Sequence, residues 1–206
     1  MRAPTPTPAA LLATALLLPS LAHSHGLIRS PAPRAPGAAT TAACGPKIAG
    51  EIASDPTSHV EGLPELGLAD GAAFDPARCN VWLCKGLQFA DNSGAGVQAY
   101  APGESVPIAI NLAIPHAGSA NVSIVDTAAN AVVGAPLIAW PSGYADEKEF
   151  YAGTTPADQT DFSVTIPEDL GGKCAEPGAC VIQWWWYGEG AKQTYESCID
   201  FVVSEA

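Results

Sequence analysis

Val106-Pro107-Ile108-Ala109-Ile110-Asn111-Leu112-Ala113-Ile114 is the stretch that decides the fold class. Its large apolar residues, at 106, 108, 110, 112 and 114, alternate with Pro107, Ala109, Asn111 and Ala113. A period of two puts the large side chains on one face of an extended strand and leaves the other face to solvent. Residues 120–126, 162–166, 180–187 and 197–203 read the same way, and Gly188-Glu189-Gly190-Ala191 joins the last two as a turn. Short strands between turn-rich loops define an all-β chain, an antiparallel immunoglobulin/fibronectin-like β-sandwich with long loops and short helices.

The rest of the chain is less regular. Residues 25–43 carry Pro31, Pro33 and Pro36 among many alanines, which opposes a long helix and predicts an extended surface segment tied down at Cys44. Residues 45–95 are loop-rich, with short helices expected at 48–52 and 81–87. Six cysteines, Cys44, Cys79, Cys84, Cys174, Cys180 and Cys198, predict three disulfides that staple the fold, with 15 possible connectivities. Short loops favour Cys174–Cys180 and Cys79–Cys84, although spacing alone does not decide. Paired C-x-x-C spacing is lacking, which disfavours a zinc site.

At the N-terminus, Arg2, an apolar run over 9–18, and the small residues Ala22 and Ser24 make a secretory signal. Cleavage is expected between Ser24 and His25, giving a signal peptide over 1–24 and one secreted, extracellular domain over 25–206. The apolar run is too short to span a bilayer. A formal net charge of −12 repels nucleic acid and anionic membranes and suits a neutral polymer such as a polysaccharide. Nothing predicts self-association, so a monomer is expected. Asn121-Val122-Ser123 is an N-glycosylation sequon.

Cleavage before His25 changes the chemistry of that residue. Of four histidines, His23 would leave with the signal, so His25, His59 and His116 remain. An N-terminal histidine offers its α-amine and its Nδ1 together. One further imidazole completes three nitrogens in a T-shaped set, which suits copper. The nearby prolines and Cys44 would hold the segment in place. No G-x-S-x-G elbow is present. Acidic residues are plentiful, but no spacing fixes a two-carboxylate glycosidase pair.

Three separated pieces then resemble one family. His25-Gly26 is similar to the mature start of lytic polysaccharide monooxygenases. His116-Ala117-Gly118, after an alternating strand, resembles their H-x-G segment. Gln193-Thr194-Tyr195-Glu196-Ser197-Cys198 resembles the Q-x-Y-x-x-C pattern of the fungal family. The resemblance implies one copper ion held by His25 and His116, with Tyr195 on its axial side and Gln193 orienting a bound oxygen species. It further implies an external electron donor, O2 or hydrogen peroxide as co-substrate, and oxidative cleavage of a cell-wall polysaccharide, chitin or cellulose in type.

The cellulose-active fungal branch has a further histidine before the glutamine, and residues 160–192 contain none; Glu189 or His59 could stand in. His59 is also a rival copper ligand. Trp184-Trp185-Trp186-Tyr187 alternates between two faces and reads as packing rather than a sugar platform. Trp140 and Tyr144, in a Pro/Gly loop, are the candidates for contacting substrate. Two other classes share these features: a copper-binding protein without polysaccharide oxidation, and a carbohydrate-binding module.

Overall fold

The computed structural model describes residues 25–204. The alternating stretch forms β3 (Ser105–Ile114), with Val106, Ile108, Ile110 and Leu112 all buried on one face. β1 (His25–Ser30) lies antiparallel along one side of it and β7 (Asp161–Thr165) along the other. The second sheet runs β2 (Gln98–Tyr100), β9 (Gln193–Val203), β8 (Cys180–Gly188), β4 (Gly118–Asp126), β5 (Ala131–Val132). In addition, β6 (Ile138–Tyr144) pairs with β4. Only the β2–β9 pair is parallel. The inner faces enclose one core that includes Ile28, Ile108, Val122, Ile182, Trp184, Trp186, Tyr195, Ile199 and Phe201. This is the sandwich that the period-two pattern predicts.

Outer faces of β8 and β9 are covered too. The segment between β1 and β2 folds into α1 (Ala38–Ser54), α2 (Leu63–Ala69) and short helical turns. It packs a small core of its own around Ile48, Ile52, Val60 and Leu63. No helix among the described residues is long and apolar enough to cross a membrane.

Two expectations for this region need correction. Residues 25–43 do not run over the surface as one extended segment: 25–30 are a ladder strand and 38–54 are helical, kinked at Gly45-Pro46. Distant partners explain both. β3 supplies the ladder for β1, and Asp91 accepts from the backbone N–H groups of Ala39 (2.8 Å) and Thr40 (2.7 Å) at the start of α1. The helix expected over 81–87 shrinks to one short turn, Cys84–Gly86.

The disulfides are Cys44–Cys79, Cys84–Cys198 and Cys174–Cys180. The third matches the short-loop expectation, and Cys79–Cys84 does not occur. These two cysteines serve different cores. Cys79 packs with α1 in the helical cluster, whereas Cys84 packs with Val125, Val181 and Cys198 on the outer face of the large sheet. The bridges close loops of very different length, with separations of 114 for Cys84–Cys198 and 6 for Cys174–Cys180. Chain entropy then predicts losses of about 5 and about 2 kcal/mol for the respective paired Cys→Ala variants. Urea unfolding midpoints will rank them, and equal losses would contradict the loop-length argument.

Candidate metal centre

One end of the sandwich gathers the start of β1, the end of β3, the start of β4, the end of β8 and the start of β9. His25 pairs with Ile114 across the β1–β3 ladder. His116 follows Ile114 by two residues, so both histidines stand at the same end of neighbouring strands. Two glycines allow this approach. A Cβ on Gly26 would lie 3.0 Å from Trp184 Cη2 and 3.3 Å from the Asn111 carbonyl oxygen. On Gly118 it would lie 1.8 Å from the Tyr187 carbonyl oxygen. The glycine of His116-Ala117-Gly118 is therefore a packing requirement of the β4–β8 junction.

Beneath these residues lies an aromatic floor. Trp184 and Trp186 are fully buried, and Tyr195 stacks on Trp186 with ring centroids 4.5 Å apart and planes at 28°. The Tyr195 hydroxyl donates to Gln193 Oε1 at 2.7 Å. Alternate residues of β9 share a face, so the β9 register brings Gln193 and Tyr195 to the site together.

Each histidine ring is gripped by a carboxylate, and through opposite nitrogens. His25 Nε2 lies 2.8 Å from Asp55 Oδ2. His116 Nδ1 lies 2.9 Å from Glu147 Oε1. Burial pushes the Asp55 carboxyl up, but hydrogen bonds from Thr57 and the nearby His25 outweigh it and leave it below its ordinary value. Glu147 behaves likewise, with hydrogen bonds from His116 and the Ala117 N–H outweighing burial. A neutral imidazole that donates from one nitrogen keeps a lone pair on the other. With each ring neutral and donating to its carboxylate, the lone pairs would sit on His25 Nδ1 and His116 Nε2. With the main-chain amine that cleavage before His25 would create, this donor set fits copper. Among the described residues no three His, Cys, Asp or Glu side chains gather into a metal-binding group; two imidazoles and an amine need only two such side chains.

His59 stands close by, its ring edge-on to Tyr195 at 6.3 Å between centroids. Its Nδ1 is 3.5 Å from Glu61 Oε2. This loop is fastened to β9 by Val60 N–H to Thr194 O and Thr194 N–H to Glu61 Oε2, both 2.8 Å. Glu189, the other stand-in, is exposed at the β8–β9 turn and reaches the site only through its backbone N–H, which donates to Ala117 O.

Tyr144, the candidate substrate contact, does not stand in a surface loop. It is fully buried in the core, donating to Gln159 O and accepting from Trp184 Nε1. Trp140 packs half-buried against Tyr144 and Phe162. The apparent Pro/Gly loop is the edge strand β6, which tolerates Pro141. Trp185 and Tyr187 stack on each other, half-buried, on the outer face. Asn121 lies in mid-strand, half-buried, and accepts from Ser123 Oγ. The expected cleavage position, Ser24–His25, lies at the boundary of the described residues, and the signal over 1–24 lies outside them.

Sequence reasoning missed Asp55, Glu147, Glu61, Lys85 and Glu196. Asp55-Pro56-Thr57 reads as an ordinary turn, and Glu147 as one of many acidic residues at a helix start. Lys85 and Glu196 are almost completely buried and line a cavity of 190 Å³ with Arg34, Leu27 and Pro56. Burial pushes Lys85 down to about 8 against the pull of Asp55 and Glu196. It pushes Glu196 up to about 7 despite the Lys85 and Cys84 N–H groups.

Comparison with known proteins now places the chain. It belongs to the lytic polysaccharide mono-oxygenase family: residues 25–201 match the model described as "Lytic polysaccharide mono-oxygenase, cellulose-degrading". Members of this family are copper-dependent enzymes that cleave polysaccharides oxidatively and are generally extracellular. The fungal qualifier is not supported, because the family matched is the bacterial-type one. Similar solved structures include a Jonesia denitrificans lytic polysaccharide monooxygenase (16% identity, TM-score 0.42, 87% of this chain and 100% of that one). A Bacillus amyloliquefaciens CBM33 in complex with Cu(I) is 15% identical (TM-score 0.44, with 87% and 100% covered). The catalytic domain of Lmo2467 from Listeria monocytogenes is 16% identical (TM-score 0.41, with 88% and 100% covered). No curated protein sequence matches the chain.

Two outcomes follow from this geometry. Gly118→Ala should cost at least about 3 kcal/mol, since the β4–β8 backbone has to part. Gly190→Ala, which meets nothing within 4 Å, should stay within about 0.5 kcal/mol. Denaturant melts of both variants check this, and a benign Gly118→Ala would refute the packing explanation.

The second concerns pH. Folding raises Glu196 from 4.5 to about 7, so the folded state holds the proton more tightly. The stability this contributes is complete below 4.5 and is lost as pH rises through about 7. Glu196→Gln should flatten that decline, by roughly 2 kcal/mol between about pH 5 and about pH 7.5. Unfolding curves of both proteins at the two pH values measure it; parallel profiles would contradict the shift.

Proposed function

We propose that the chain is a secreted, copper-dependent monooxygenase that oxidatively breaks glycosidic bonds of a cell-wall polysaccharide of chitin or cellulose type. The observation that carries this reading is the meeting of His25 and His116 at one end of the β1–β3 pair. Two further observations support it. The family match begins at residue 25, the residue that follows the expected cleavage position. The printed family description, cellulose-degrading, makes cellulose the first polymer to test.

In this reading the signal over 1–24 is removed and residues 25–206 act as one monomeric domain. The His25 amine and Nδ1 and the His116 Nε2 would hold copper, with the Tyr195 hydroxyl beside the site. Copper, when bound, supplies one-electron redox chemistry toward O2 or hydrogen peroxide, with electrons from an external donor. Gln193 fixes the Tyr195 hydroxyl through their hydrogen bond. The acidity of the chain suits an uncharged polymer and no nucleic acid or membrane partner.

The test has three readouts on the secreted protein: its N-terminal residue, Cu(II) titration calorimetry, and mass spectrometry of digests. Chitin, cellulose and hemicellulose are each incubated with copper-loaded protein, reductant and peroxide. The expected results are His25 first, Cu(II) binding well below micromolar Kd, and soluble oxidised oligosaccharides from at least one polymer. His116→Ala should abolish tight binding and leave the fold intact. Micromolar or weaker binding, or loss on His59→Ala but not His116→Ala, would overturn the ligand assignment. Tight binding with no product from any polymer would leave a copper-binding protein without this activity.

A further inference from the structure

The two carboxylates at the site have matching connections. Asp55 Oδ2 meets the His25 ring, while its Oδ1 accepts from both the backbone N–H (3.0 Å) and the hydroxyl of Thr57. The carbonyl of the same Thr57 accepts from Gly26 N–H at 3.1 Å. This closes a ring of contacts from the His25 side chain back to the main chain of the next residue. Lys85 Nζ fastens the turn from its buried side by donating to Pro56 O at 2.8 Å. Glu147 repeats the arrangement: Oε1 meets the His116 ring and Oε2 accepts from Ala117 N–H at 3.2 Å. Glu147 is in turn the first residue of α3 (Glu147–Ala152), whose N-terminus is capped by Asp146. Each clamp thus holds an imidazole and the backbone beside it as one unit.

We propose that Asp55 and Glu147 are a pair of positioning residues that fix the ring orientation and tautomer of the two histidines, turning His25 Nδ1 and His116 Nε2 toward a shared metal. The inference rests on the copper reading above. Carboxylates behind metal-binding imidazoles hold the tautomer and raise ligand basicity, and losing one costs about 10–100-fold in metal affinity. The demand on Glu147 is the greater. It holds His116 in the Nδ1–H form, whereas free imidazole side chains favour Nε2–H.

Two measurements test the proposal. Nitrogen-15 spectra of the metal-free protein, with labelled histidine, report the protonated nitrogen of each ring. Nδ1–H is expected for His116 and Nε2–H for His25, with Glu147→Ala moving His116 toward Nε2–H. Calorimetry with Cu(II) should show affinity lower by about 10–100-fold for Asp55→Ala and for Glu147→Ala, and a larger loss for the double variant than for either alone. Thermal melts confirm folding, and Asp55→Leu and Glu147→Met, which fill the space but offer no oxygen acceptor, replace any alanine variant that fails to fold. Unchanged affinity in the folded variants, or His116 staying Nδ1–H without Glu147, would overturn the positioning role. If the wild type itself bound Cu(II) weakly, the copper reading would fail while the metal-free spectra still decided the tautomer lock.

Discussion

His25 faces Ile114 and Ile28 faces Ile110 along the β1–β3 ladder, with a register shift between His25 and Gly26, and the place of the His25 side chain follows from that pairing. The ladder sets which residue of β1 stands at the end of the sandwich. A one-residue slip would turn the alternation over, burying His25 and exposing Gly26. Trp184 and Trp186 guard against that slip, because they fill the space beneath Gly26, where a Cβ would already meet Trp184 Cη2 at 3.0 Å and Trp186 Cζ3 at 3.4 Å. Register and core packing therefore specify the same arrangement.

The covering segment adds a second constraint. Arg34 makes a buried two-pronged contact with Asp200, with its Nε 2.8 Å and its Nη2 2.6 Å from the carboxylate. Lys85 and Glu196 lie further along the same face of β9. Charges this deep are tolerated when partners surround them, and losing one partner is costly. Such contacts, together with Cys84–Cys198, fix the height of the 55–61 loop over β9. That loop brings Asp55 to His25 and His59 to Tyr195.

Much of the sandwich could be read from residue order, because alternation reports burial directly. The β3, β4, β7, β8 and β9 positions were visible in that way. The candidate ligands His25 and His116, and Tyr195 with Gln193, stood out by position and spacing. What escaped were features whose cause lies far along the chain. β1 has no alternation strong enough to announce a strand, and its ladder partner begins some eighty residues later. β6 hides behind Pro141 and Gly143, so Tyr144 read as a loop aromatic when it turns into the core. Cys84 looks like the partner of Cys79 until the outer face of β9 is known. Asp55 and Glu147 are common residues made special only by where two loops return.

β1 carries one more consequence. It is six residues long and sits at the edge of its sheet, with β3 as its one strand neighbour and the 55–57 turn fastened to its first two residues. Short edge elements fray at far lower free energy than the central strands beside them. Peeling back a single turn of backbone at this margin would scatter the His25 donors while the tryptophan-rich centre stayed intact. The arrangement around His25 thus depends on the adhesion of the outermost ribbon and can be lost by local opening, ahead of the melting of the whole.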